Sequence, residues 1–171
     1  NLPVFVMNTH CHLDHIGGNY LFDEVWAFDH RVSRATSALG VGHEKAKEVI
    51  QPGSLRKPIP EPFCEDDYCI PPYRVTHWIK DGEDIELGNR RLKAIYSPGH
   101  APDHLMFFEK ESGYLWTGDI FYTGCVYTHL PWGDLDTFIC TYKERVMPLL
   151  DQVNILLPSH NDPCKNIKVL E

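Results

Sequence analysis

The stretch Leu2-Pro3-Val4-Phe5-Val6-Met7-Asn8-Thr9-His10-Cys11-His12-Leu13-Asp14-His15-Ile16-Gly17-Gly18 decides how this chain is read. Leu2 to Met7 is a short apolar run, which reads as a buried strand ending at Asn8-Thr9. Three imidazoles and a carboxylate then crowd into residues 10–15, and Gly17-Gly18 closes the loop. In such a loop His10 and His12 can turn toward one ion while Asp14 and His15 serve a second. Imidazole and carboxylate together suit zinc, and also iron or manganese. An isolated histidine is usually a surface or core residue with an ordinary hydrogen bond. Crowding imidazoles without a metal, however, costs stability and gains no packing. The pattern points to a metal centre at the end of a strand, where two ions about 3.5–4 Å apart can share a hydroxide.

Working outward, Val25 to Phe28 reads as a second buried strand, and residues 31–50 as helices interrupted near Gly40 and Gly42. Prolines at 52, 58, 60, 62, 71 and 72 exclude a helix interior or a central strand there. Residues 52–74 are expected to form a lid or insertion loop, with Phe63, Tyr68, Ile70 and Tyr73 packing on the site. Strands follow at 75–80, 84–87 and 91–96, then a hairpin of 105–108 with 114–117. Leu135, Phe138, Ile139, Tyr142, Val146, Leu149 and Leu150 mark one face of a helix, capped by Asp134 or Asp136 and with Pro148 in its last turn. A final strand covers 153–157. The cluster at 10–15, His100, Asp119 and His160 each lie just past a predicted strand. If those strand ends share one edge, four loops meet at one rim.

The chain has 171 residues, enough for a single domain over 1–171 with a real core. A net charge of −8 disfavours nucleic acid as a partner and leaves small molecules as the expected substrates. No apolar stretch is long enough to span a bilayer, so no membrane partner is expected. Six cysteines occur without a C-x-x-C pair. Cys64 and Cys69 are close enough in sequence to bridge, but reduced thiols and a cytoplasmic location are favoured. The chain starts at Asn1, so an export signal could be missing with the N-terminus.

The run from Thr9 to Gly18 resembles the signature of the metallo-β-lactamase superfamily. Ser97-Pro98-Gly99-His100, Thr117-Gly118-Asp119 and Leu157-Pro158-Ser159-His160 follow in the family's order, so the resemblance spans nearly the whole chain. It implies an α/β fold, a four-layer αβ/βα sandwich, here lacking the strands that usually precede the first motif; the exposed sheet edge would invite a homodimer. It implies His10, His12 and His100 as ligands of one zinc ion, Asp14, His15 and His160 as ligands of a second, and Asp119 as the bridge. It further implies a metal-bridging hydroxide attacking a carbonyl, with Asp14 as the catalytic residue that orients it or accepts its proton. The segments 97–104 and 118–121 look most like the glyoxalase II-like branch, and 122–131 with 158–161 like metallo-β-lactamase domain-containing protein 2-like sequences. A carboxylic thioester or ester of the acyl-CoA or glutathione type is therefore the expected substrate. Lactonase or β-lactamase-type ring opening is the alternative. A catalytically inactive fragment is a second alternative, although all seven ligand residues are present.

Other residues carry weaker signals. His104 follows His100 by four, as the second histidine of glyoxalase II-like sequences does, and the resemblance implies that it supports a ligand rather than binding metal itself. Tyr122, Tyr127 and His129 follow Asp119 and either donate a hydrogen bond to substrate or form aromatic packing beside it. Ser97 and Ser159 lack an activating base. His30, His43 and His77 read as ordinary surface or loop residues.

Overall fold

In the computed structural model, residues 3–50, 57, 61 and 63–164 are described. Period-2 alternation along the strands sorts their side chains into layers. β1 (Val6–Met7), β2 (Val25–Phe28) and β3 (His77–Ile79) form a three-stranded parallel sheet in that order. β4 (Asp84–Glu86), β5 (Arg91–Tyr96), β6 (Leu105–Glu109), β7 (Tyr114–Gly118) and β8 (Ile155–Pro158) form a five-stranded sheet, antiparallel except for the β7–β8 pair.

Leu105 and Phe107 point from one face of β6 into a core shared with Trp26, Phe28 and Ile79 of the smaller sheet. Met106 and Phe108 point from the other face into a core with Val146 and the partly buried Phe138 and Tyr142. Val25 faces a third core with Ile16, Ala46, Ile70 and Tyr73. Three cores separate four layers: helices, sheet, sheet, helices. This is the expected sandwich. Each fully buried Ile, Leu or Met contributes roughly 1.5–3 kcal/mol of transfer free energy, and the set includes Ile16, Ile79, Leu105, Met106 and Leu156.

The helices flank the sheets as α1 (Leu13–Ile16), α2 (Arg31–Leu39), α3 (His43–Ala46) and α4 (Leu135–Thr141). α2 stops at Gly40, whose φ of +67° suits glycine, and a Cβ there would meet the Ile70 carbonyl oxygen at 2.4 Å. α4 begins at Asp134, whose carboxylate accepts from Thr137 N–H at 2.6 Å.

Two elements differ from expectation. The last helix is α-helical only to Thr141, widens into a π turn at Tyr142–Val146 and tightens to 3₁₀ geometry at Met147–Gln152. Pro148 has no N–H to give and its ring crowds the carbonyl four residues earlier, so a regular α-helix cannot run through it. Leu135 and Ile139, read as part of the buried face, are 57% and 40% exposed. Most of residues 51–62 lie outside the described residues, including much of the expected lid. Its described end is built into the third core, where Ile70 and Tyr73 are buried and Ile70 bridges Val41. Phe63 is exposed, and Cys64 and Cys69 are both free thiols. Among the described residues, no helix is long and apolar enough to cross a membrane.

Candidate metal centre

β1 ends where its backbone must leave the sheet, and Thr9 C=O accepts from Leu105 N–H at the start of β6. That bond ties the two sheets together at the rim carrying the histidines. His10, His12, Asp14 and His15 leave the end of β1 and enter α1; His100 comes from the loop between β5 and β6; Asp119 follows β7; His160 follows β8. All seven side chains converge. Three groups have ligand atoms within 4.8 Å of one another: His10, His12 and His100; His10, His15 and Asp119; and Asp14, His15 and His160.

Around His12 Nδ1, His10 Nε2 stands at 3.1 Å and His100 Nε2 at 2.9 Å. The Nδ1–H of His100 is committed to the Tyr127 carbonyl at 2.7 Å, so its Nε2 is bare in the neutral ring. His12 Nδ1 carries at most one proton and cannot satisfy both nitrogens that face it, whereas one shared cation satisfies all three. On the other side, His15 Nε2 and Asp119 Oδ1 face each other at 3.3 Å. Both are buried without a hydrogen bond of acceptable geometry. Buried orphans of this kind are costly unless something fills the gap. The donor set fits divalent metal ions.

Electrostatics agree. Burial, reinforced by neighbouring histidines, holds His10 well below its usual range and His12 at about 4. Burial also lowers His100. These rings are neutral at pH 7, the form that binds metal. Burial pulls His15 down too, but the Asp119 and Asp14 carboxylates outweigh it and leave its pKa raised. The Asp119 carboxyl is raised by burial and lowered more strongly by His15, His160 and His100, for a net decrease. Asp119 Oδ2 lies 3.1 Å from His160 Nε2 and 3.6 Å from His100 Nε2, which puts this carboxylate between the histidine groups. Asp14 and His160 are about half exposed, with Oδ2 and Nε2 3.3 Å apart.

His104 sits beneath the centre with both nitrogens in use. Its Nε2 accepts from Asp119 N–H at 3.0 Å, so the proton is on Nδ1, which donates to Ser97 Oγ at 2.7 Å. The ring fixes the backbone of Asp119, and burial keeps it neutral by lowering its pKa to about 3. The Ser97–His104 pair cannot act as nucleophile and base, because the nitrogen facing the hydroxyl already holds a proton. Gly118 is required beside it: φ is +53°, and a Cβ would stand 2.5 Å from His104 Nε2.

Of the aromatic candidates, Tyr122 spends its hydroxyl on the Cys125 carbonyl at 2.9 Å and sets its ring 5.4 Å from that of His160. Tyr127 and His129 contact each other edge to face. Sequence reasoning missed the backbone role of Tyr127 toward His100, and a carbonyl leaves no residue-type signal to find. His30 caps α2 through Val32 N–H, His43 bonds the Tyr68 carbonyl, and His77 pairs with Glu83.

The metallo-beta-lactamase superfamily profile matches residues 3–160. The chain is 29% identical over 160 residues to acyl-coenzyme A thioesterase MBLAC2 of Gallus gallus, covering 92% of this chain and 56% of that protein. It is 27% identical over 166 residues to hydroxyacylglutathione hydrolase GloC of Haemophilus influenzae, covering 91% and 68%. The chain thus spans about half the length of the MBLAC2 proteins it matches. In fold it is similar to the BLEG-1 B3 metallo-beta-lactamase, with a TM-score of 0.68, 18% identity, and 96% and 72% of the two chains covered. It is also similar to TTHA1623, crystallised in a di-iron-bound form, with a TM-score of 0.63, 20% identity, and 96% and 73% covered. By this match and by its layered fold, the chain belongs to the metallo-β-lactamase superfamily.

Proposed function

We propose that this chain is the hydrolytic domain of a dinuclear metal-dependent thioesterase. His10, His12 and His100 would hold one divalent ion, Asp14, His15 and His160 a second, and Asp119 would bridge them. The observation that carries this reading is the position of Asp119, whose carboxylate lies within 3.6 Å of histidines from both groups. Zinc fits the imidazole-rich donor set, and iron fits it too. Bound there, the ions supply a hydroxide nucleophile at neutral pH and stabilise the charge that develops on the attacked carbonyl oxygen.

The chain's own groups do the rest. Asp14, half exposed and near His15 and His160, would orient a water or take its proton. Tyr127 C=O fixes the ring of His100, and His104 fixes Asp119. A thioester is favoured over a lactone or β-lactam by the relatives named acyl-coenzyme A thioesterase and hydroxyacylglutathione hydrolase. Cys64 and Cys69 are free thiols, which fits a reducing compartment such as the cytoplasm.

Purified protein should bind about two zinc ions per chain. Loaded with zinc, it should hydrolyse acyl-CoA or acyl-glutathione thioesters faster than lactones or nitrocefin. Two bound ions with no thioester turnover would overturn the thioesterase assignment.

A further inference from the structure

A cleft of about 300 Å³ opens beside the metal centre and shares His12 and Asp14 with it. This is the size of a small-molecule site. Its apolar wall comes from three places: Leu13 of α1, Val41 and Val49 flanking α3, and Leu130, Pro131 and Trp132 from the loop after β7. Among its described lining residues, Lys45 and Glu48 carry opposite charges and pair with each other at 2.9 Å. A polar acyl group therefore finds little to bind there beyond the metal ligands themselves. An alkyl chain leaving a carbonyl held at the metal centre meets mainly hydrocarbon among the described lining residues, interrupted by Thr36 and the Lys45–Glu48 pair.

The Trp132 wall is unusual in its backbone. Gly133 N–H donates to Leu130 C=O at 2.8 Å, closing a four-residue turn with Pro131 and Trp132 at its centre. Trp132 has φ +80°, the geometry of a type II turn, where the third position favours glycine. A bulky aromatic held there is strained, and strained residues persist where the surroundings or the function require them. Trp132 is also 56% exposed, so burial alone does not account for it. It stands on the cleft wall beside Leu130 and Pro131.

We propose that this cleft receives the acyl chain of the thioester and that Trp132 sets which chains it accepts, favouring longer apolar acyl groups over short ones. The proposal rests on the thioesterase reading above.

Two measurements test it on the zinc-loaded protein. Calorimetric titration with ethyl and decyl thioethers of CoA reads the cleft without turnover, and hydrolysis of acetyl- to decanoyl-CoA reads it with turnover. The decyl thioether should bind at least about 10-fold tighter than the ethyl, and kcat/KM should rise roughly threefold per added methylene until the cleft is full. Trp132→Gly, which suits the turn, and Leu130→Ser, at an exposed position, should each lower the decyl-to-ethyl ratio about fivefold or more. Equal binding of the two thioethers, or a ratio unchanged in both variants, overturns the proposal. Thioester hydrolysis with no chain-length preference sinks it too, while leaving the thioesterase reading intact. Chain-selective thioether binding with no thioester turnover supports the cleft and overturns the thioesterase reading instead.

Discussion

His104 shows how a residue can matter to a metal centre without touching a metal. Fully buried, it satisfies Asp119 N–H on one side and Ser97 Oγ on the other. Replacing it with alanine leaves Asp119 N–H unpaired beside a cavity and Ser97 Oγ with only the residue 104 carbonyl, at a combined cost of about 2–5 kcal/mol. His104→Ala should therefore lower the urea midpoint of the metal-free protein. It should also weaken zinc binding by about 10–100-fold, as loss of a group that orients a ligand does. His104→Gln, which returns an acceptor toward Asp119 N–H, should recover part of both. Wild-type zinc affinity in the alanine variant would show that His104 is only packing. The resemblance to glyoxalase II-like sequences, which carry a second histidine at this place, flagged it. The tautomer was not legible, because it is set by a backbone N–H from a different loop. Of the seven candidate ligands, His10, His12, Asp14 and His15 stand out by side-chain type and crowding, whereas His100, Asp119 and His160 lie past strand ends and take their roles from the family resemblance.

At the scale of elements, β2 and β6 were legible as strands, but runs that are apolar throughout do not show which side chain takes which face of the sheet. The burial of the final helix was not legible, because periodicity reports a face and not whether a partner covers it. Leu135 and Ile139 keep the spacing but stay exposed. A polar tie between turns also escaped the sequence. Glu109 at the end of β6 accepts two hydrogen bonds from Arg90 and one from Ser112, joining the β4–β5 turn to the β6–β7 turn. Arg90 and Ser112 hold the Glu109 carboxyl down at about 2, against about 4.3 for an unfolded chain. The native state therefore binds fewer protons than the unfolded state between these values. Its contribution is complete above about pH 4.3 and is lost as pH falls toward 2. Glu109→Gln should lower the denaturation midpoint at pH 7, and the gap from wild type should close as pH approaches 2. A gap that stayed constant over that range would mean that shape, and not charge, makes the contact.

At the scale of the whole molecule, the candidate ligands come from both sheets and four separate loops, so metal binding and the stability of the sandwich are coupled. Metal that binds only the folded chain adds about 2.7 kcal/mol per ion at a free concentration 100-fold above Kd. For a domain of this size that raises Tm by roughly 5–10 °C. The two proposed ion positions should not behave alike. His10 and His100 are each 2% exposed. His160 and Asp14, by contrast, have side chains 42% and 47% exposed. The exposed group can open to solvent without disturbing a core, whereas release from the buried one requires the β1 and β5–β6 loops to separate. Chelator should strip zinc in two phases, the faster removing about one ion per chain and a minority of the thermal shift. His160→Ala should abolish the fast phase and leave the slow one. Loss of both ions in a single phase, or a fast phase unchanged by His160→Ala, would mean that the two positions form one cooperative unit gated by the same loop.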